Sequence, residues 1–357
     1  MNIHAISGQI PHSHTKINLE LNGCNLILVG KNGSGKTQLL TSLYYSLLKQ
    51  INQNISYTEA LKNLEKARAT SPDHSSAGPH NAAVRHFENH LIQYENQAVP
   101  IIENYTPYRD LVIQGRAALL FFEATRTTTI AVPQFIVGIK KSRDAGAQAI
   151  QNSLAGGVPG NHTCVGNQLE QYLINLENRR AISVAADDDS EGRKISSFFK
   201  KFSDNLKMLM EDDSVELKFD LEDTKIILTR ENKSDTSFQH LSSGYSAIFN
   251  FYSEILLRTE FLGIAPQDYE GIIFIDELEV HLHVSLQRLI LPFLTKSFPK
   301  IQFIVTTHSP FILTSVNNAL IYDLSSNSIV KDDISLYSFK AVMEGLFETK
   351  TTSILLD

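Results

Sequence analysis

The sequence predicts an α/β fold, and three observations predict it. The apolar run Leu26-Ile27-Leu28-Val29 passes through a glycine-rich turn into Leu39, Leu40, Leu43 and Leu47, which recur at helical spacing. Gly271-Ile272-Ile273-Phe274-Ile275 is a second unbroken apolar run, and it ends in two acids. Phe303-Ile304-Val305-Thr306-Thr307 is a third, and His308 follows it directly. Short continuous runs of this kind mark strands buried on both faces, as in a sheet covered by helices.

Each remaining element follows in order. Leu19 and Leu21 alternate with polar residues, so a strand precedes the first apolar run. From 52 to 110 Asn, Gln, Glu and His dominate, and SPDHSSAGPHN reads as a loop, which gives an inserted, mostly helical excursion with a mobile tip. At ~1.5 Å per residue, ~20 residues per arm would reach only ~30 Å, too little for a long coiled coil. Strands return at 118–122 and around 135–139; a Gly/Asn-rich loop (155–167) and a helical stretch (168–210) follow. Segments 215–219 and 225–229 alternate as a hairpin does. The expected organisation is a core begun by residues 1–50, a helical insertion at 51–110, and the rest of the core over 111–357. Within the last part, a helical lobe covers about 141–250 and a second lobe about 251–357.

Composition sets limits on function. With 42% hydrophobic and 20% charged residues, 357 residues can bury one large core or two modest ones. A net charge of −7 excludes an overall basic surface, though a local basic groove stays possible. Cys24 and Cys164 lie far apart without metal-ligand spacing, as expected of free thiols in a cytoplasmic protein. The N-terminus has no basic start and apolar run of a secretory signal. Arg116, Glu123 and Arg126 interrupt the most apolar stretch, 111–139, so buried strands rather than a membrane span are expected there.

Gly30-Lys31-Asn32-Gly33-Ser34-Gly35-Lys36-Thr37 fits G-x-x-x-x-G-K-[ST] and sits between a strand and a helix. Glycines let backbone N–H groups turn inward around β- and γ-phosphates, and the helix aims its positive end at the same anion. Lys36 is expected to neutralise the phosphates and Thr37 to ligate Mg²⁺; Gln38 completes the binding set. Asp276 and Glu277 end a strand whose carboxyl end faces the ligand crevice. Asp276 then holds Mg²⁺ and Glu277 accepts a proton from, or orients, the attacking water. His308 can reach the γ-phosphate or that water. Asp187-Asp188-Asp189 reads as a solvated turn, because consecutive carboxylates on a helix diverge. The pairs His86/His90 and His281/His283 lack a third ligand and read as exposed helix and loop residues.

Leu241-Ser242-Ser243-Gly244-Tyr245 resembles the ABC signature, and the order phosphate loop, signature, I-I-F-I-D-E, T-T-H-S gives that likeness its force. The set resembles ABC ATPases of the RecF and SMC type over residues 1–50 and about 110–357. Ser243 departs from the usual first glycine and Tyr245 from the common glutamine; Gln134 is the candidate for the family's glutamine loop. LSSGY, DELEVHLH, FIVTTHSPFIL and SLYSFKAVMEGLF extend the likeness to compact ATPases of bacterial anti-phage systems: PtuA of Septu, related retron effectors and the PARIS ATPase. The resemblance implies a P-loop ATPase head with a mixed sheet and an inserted helical subdomain. It also implies a homodimer or higher oligomer with ATP held between the phosphate loop of one copy and Ser242, Ser243 and Gly244 of the other. Such proteins commonly continue into a helical C-terminal region, and this sequence stops at Leu355-Leu356-Asp357.

No nuclease motif accompanies the set, so a sensor or scaffold that controls a separate effector nuclease, triggered by DNA or a phage protein, is the leading expectation. A duplex-clamping ATPase of DNA maintenance is the alternative, with Arg179, Arg180, Arg193, Lys194, Lys200, Lys201 and Lys207 as its basic candidates. The engine of a transporter fits poorly, because about two hundred residues separate the phosphate loop from the signature.

Overall fold

Strand β1 (Ile3–Gln9), β2 (Lys16–Glu20) and β3 (Asn25–Val29) lead into α1 (Lys36–Gln53). Then come α2 (Tyr57–Ala69), α3 (Ala77–Ile92), β4 (Ala98–Ile102), α4 (Tyr105–Ile113) and β5 (Ala118–Phe122). The chain continues with α5 (Ile139–Ala155), α6 (Leu169–Ala185), α7 (Asp189–Met210), β6 (Glu216–Asp220), β7 (Lys225–Thr229), β8 (Thr236–Ser237) and α8 (Ser243–Leu262). Last are β9 (Gly271–Ile275), α9 (Val284–Ser297), β10 (Ile301–Thr306), α10 (Pro310–Leu313), β11 (Ala319–Asp323) and β12 (Ser328–Val330). The computed structural model describes residues 2–70, 77–125, 130–155, 164–186, 188–220, 222–316 and 318–330.

These elements divide between two units. The first takes the described residues up to Phe121, 270–278 and those from Lys300 onward. Its main sheet has the order β12-β11-β3-β10-β9-β5. Strand β3 lies parallel to both β10 and β11, β10 is parallel to β9, and β12 runs antiparallel to β11, so the sheet is mixed. Leu26 to Val29 and Ile272 to Ile275 are all 0% exposed, which is why their sequence is apolar without alternation. A second, antiparallel sheet has the order β2-β1-β4. Gln302, buried in β10, joins the two sheets. Its Oε1 accepts from Ile3 N–H at 2.7 Å, and its Nε2 donates to the carbonyls of Ile3 and Cys24 at 3.2 and 2.7 Å.

The observed elements depart from, or add detail to, the expected ones at several points. Alongside α2, α3 and α4, the 51–110 segment holds β4, which pairs with β1. Pro100 argues against a strand, but β4 is at a sheet edge, where a missing N–H is tolerated. Around 135–139 there is no strand. Pro133 interrupts the segment, Val132, Phe135 and Ile136 are exposed, and Gln134 and Val137 donate their N–H groups to the side chains of Gln171 and Asn175. Helical geometry begins at Ile139. The helical stretch 168–210 consists of two helices, and the Asp188 carboxylate caps the second by accepting from Glu191 N–H at 3.3 Å. The loop read at SPDHSSAGPHN turns helical from Ala77. Arg126, Asp187, most of the 155–167 loop and the closing SLYSFKAVMEGLF lie outside the described residues.

The second unit packs α5 to α9 with the small sheet β6-β7-β8. Its aromatic core includes Phe202, Tyr252, Phe293 and Phe298, all at most 2% exposed. Among the described residues no helix is long and apolar enough to cross a membrane.

Gly271 opens β9 at φ +144°, and a Cβ there would stand 2.2 Å from Ala118 O and 2.5 Å from Ala118 N. Those are backbone atoms of the neighbouring segment and cannot swing aside. Gly271→Ala is therefore expected to destabilise by at least about 2 kcal/mol in urea unfolding, whereas Gly78→Ala, with open space around it, stays within about 0.5 kcal/mol.

Candidate functional site

The site is built where the parallel strands of the first unit end. Parallel pairing of β3, β10 and β9 brings their carboxyl termini to one edge of the sheet. From β3 the chain turns through Gly30, Gly33 and Gly35 at φ +143°, +79° and +91°. Gly30 has no room for a side chain, because a Cβ would lie 2.7 Å from Ser34 Oγ. Gly33 has open space and is needed for its dihedral instead. Lys31 N–H donates to Ser325 Oγ at 2.8 Å, and Ser325 N–H donates to Asp323 Oδ1 at the end of β11, so a neighbouring strand braces the loop.

Helix α1 begins at Lys36 with Gly35 at its N-cap, no side-chain cap and no acid in its first turn. Its first N–H groups and its positive end are therefore left for an anion. Ser34 Oγ is buried without a partner in the loop, an orphan that a phosphate oxygen would satisfy. Lys36, 6% exposed, folds over the loop and donates Nζ to Gly30 O at 2.9 Å and Lys31 O at 3.1 Å. Asn32, Thr37 and Gln38 are exposed beside it.

Thr37 Oγ1 lies 2.9 Å from Asp276 Oδ2 and 3.1 Å from Oδ1. Asp276 is 4% exposed, and a buried carboxylate needs donors. Thr306 supplies one: its hydroxyl donates to Asp276 Oδ1 at 2.6 Å and accepts from Glu277 N–H at 2.7 Å. Glu277 takes the left-handed region at φ +46°, a strained conformation for a side chain of its type. Leu278 N–H donates to Thr306 O at 3.0 Å, which fixes the turn on its far side. His308 follows β10 and is half-buried. The structure thus gathers the phosphate loop, Thr37, Asp276, Glu277 and His308 in one unit. Thr306 and the Asp323–Ser325 brace are participants that the sequence reading passed over. The polar residues Asp323, Ser325 and Ser326 directly after an apolar strand were the available signal.

Ser242, Ser243 and Gly244 lie in the second unit. Ser242 is the N-cap of α8 and makes no side-chain cap, so its hydroxyl and that of Ser243 face solvent. Gly244 is buried against the 279–283 turn, where a Cβ would come within 3.1 Å of Leu286 Cδ1 and 3.2 Å of His281 O. Gln134 is exposed on the 130–138 segment of this unit. Among the basic candidates, Arg179, Arg180 and Arg193 lie 3.8, 2.6 and 3.7 Å from Glu191, Glu177 and Asp189. His281 and His283 are exposed, as expected; His90 is not, and packs against Tyr94 at a tilted angle with its basicity lowered by burial. Cys24 and Cys164 are free, and burial pushes the Cys164 thiol up to about 12, where it is inert.

Residues 168–314 match the family model described as "AAA domain, putative AbiEii toxin, Type IV TA system". The chain has a mixed α/β fold in which a glycine loop joins a buried strand to a helix. It is similar to the retron Ec83 probable ATPase of Escherichia coli, 35% identical over 127 residues covering 34% of this chain and 23% of that protein. It is also similar to Septu protein PtuA of Bacillus thuringiensis, 32% identical over 152 residues covering 41% of this chain and 38% of that protein. The chain thus matches well under half the length of these curated relatives. An SMC head bound to the C-winged helix domain of ScpA overlays 90% of this chain and 94% of its own at 11% identity and a TM-score of 0.41.

Thr306→Val removes a hydroxyl that serves Asp276 and Glu277 at once while keeping its shape. Its loss leaves a buried carboxylate short of a donor and is expected to cost about 1–3 kcal/mol in urea unfolding.

Proposed function

We propose that this chain binds and hydrolyses ATP with Mg²⁺ at a composite site formed by two copies. The observation that carries the reading is the hydrogen-bonded set Thr37–Asp276–Thr306–Glu277 beside a glycine loop at an uncapped helix start. Backbone N–H groups of residues 33–37 and Lys36 would bind the β- and γ-phosphates, the lysine exchanging its two carbonyl partners for phosphate oxygens. Thr37 and Asp276 would hold Mg²⁺, which when bound supplies neutralising charge across the phosphates. One hydroxyl and one carboxylate suit this ion, because it keeps most of its waters. Among the described residues no cluster of three His, Cys, Asp or Glu forms a tighter cage.

Glu277, turned out of the strand by its left-handed backbone, is the group that accepts the proton of the attacking water. His308 orients the γ-phosphate or that water. The exposed Ser242 and Ser243 hydroxyls and the first N–H groups of α8 form a second anion-facing surface, suited to the γ-phosphate held by another copy. Binding that joins two copies and hydrolysis that frees them make an ATP-gated switch.

In the cell we assign this switch to the cytoplasm, as sensor or scaffold of an anti-phage complex controlling an effector nuclease, with DNA or a phage protein as trigger. The similarity to a retron ATPase and to Septu PtuA supports that role. The duplex-clamp alternative is less supported, since three of its seven basic candidates already face carboxylates.

Glu277→Gln keeps the side chain's size and removes its basicity. ATP affinity is expected to stay within about threefold while turnover falls at least about a hundredfold. Size-exclusion chromatography with ATP should then show an accumulated dimer. Normal turnover by this variant would remove Glu277 from the mechanism.

A further inference from the structure

Glu170 is a charged side chain at 0% exposure, far in sequence from every motif of the ATPase set. It sits in the first turn of α6. Its Oε1 accepts from Ile226 N–H of β7 at 2.7 Å, and its Oε2 accepts from Gln239 Nε2 at 2.5 Å. The same Gln239 amide reaches Ile130 O at 3.3 Å. Ala131 N–H donates to Asn167 O at 2.8 Å, just ahead of α6. One carboxylate thus ties together α6, the small sheet, the 130–138 segment and the strand-to-helix turn at 238–241.

That turn ends on Ser242. Gln239 lies three residues before it, and Phe238, 2% exposed, anchors the turn in the core. Ser237 Oγ with His240 Nδ1 at 2.8 Å and Ser246 N–H on Ser242 O at 2.9 Å also hold the turn, while Ser242 makes no side-chain cap and Ser243 is exposed. A buried carboxylate is an expensive anchor, and an apolar side chain could fill the same space. What a carboxylate adds is direction, because both oxygens accept and each fixes a donor from a different segment.

We infer that Glu170 is a positioning residue for the signature: with Gln239 it sets where Ser242 and Ser243 are presented, and it couples that placement to the 130–138 segment. This rests on the ATPase reading for its effect on turnover, though not for its effect on the turn itself. Both residues lie in the second unit and the phosphate loop in the first, so the pair is inferred to act through the backbone it holds.

The test reverses the contact. Glu170→Gln leaves one acceptor oxygen where two donors converge, Gln239→Glu sets two carboxylates together and removes the donor to Ile130 O, and the combination restores one amide facing one carboxylate. In either single variant, amide hydrogen exchange over 238–245 is expected to rise at least about tenfold and turnover to fall about tenfold, with ATP affinity within about twofold. The double variant should recover both in part, short of the Ile130 contact, to which a carboxylate cannot donate. If Glu170→Gln does not fold, Gln239→Leu, which leaves the Ile226 contact intact, carries the same expectation for exchange and turnover. A double variant no better than the singles overturns the inference, as does loss of ATP affinity in step with turnover. A wild-type protein without ATP turnover would instead defeat the ATPase reading, and the exchange pattern would still decide the role of Glu170.

Discussion

The Thr306 hydroxyl is the contact on which the proposed catalytic edge depends. It has one proton to give, and it gives it to Asp276, while its lone pair takes the N–H of Glu277. That dual use works because β9 and β10 run parallel in a register that pairs Val305 with Ile275. A shift of one residue would point the threonine to the opposite face of the sheet. It would leave Asp276 buried without this donor and release the left-handed turn at Glu277. The two acids therefore face different environments by construction. Asp276 is enclosed and hydrogen-bonded, whereas Glu277 is half-buried on a left-handed backbone.

The phosphate loop answers the same edge from the neighbouring strand. Thr37 reaches across to Asp276, so the loop and the acidic strand are joined through the pair proposed to hold Mg²⁺. Lys36 occupies backbone carbonyls of its own loop. Those two bonds keep a buried ammonium satisfied and hold its charge within the loop it is proposed to neutralise. Glycine is required at Gly30 for close approach and at Gly33 for its backbone angle, so the two positions are constrained for separate reasons.

Much of this was legible in the sequence because it was written in short, strong patterns. A glycine loop between strand and helix, two acids ending an apolar run, and a histidine ending another all stand where those patterns put them. Long-range partnerships were not legible. Nothing local marks Thr306 as the donor to Asp276, since threonine in a buried strand reads as β-propensity alone. Nothing local marks Glu170 as buried, since its partners in β7 and at Gln239 lie 56 and 69 residues away. The segment around 135–139 misled because its apolar residues face outward, held there by side-chain amides of α6 rather than by a strand ladder. Strand β4 escaped notice for the opposite reason, as edge pairing absorbed a proline that propensity counts against.

The central claim is that each working site takes its phosphate loop from one copy and its signature from another. Mixing two inactive proteins tests it most directly, one with Lys36→Ala and one with Ser242→Arg. In a mixed dimer one site combines the intact loop of one partner with the intact signature of the other. ATP turnover of an equimolar mixture should then rise from near zero to about a quarter of the wild-type rate, as random pairing in a two-fold dimer requires. A mixture as inactive as its components, under conditions where the two chains exchange, would contradict the composite site.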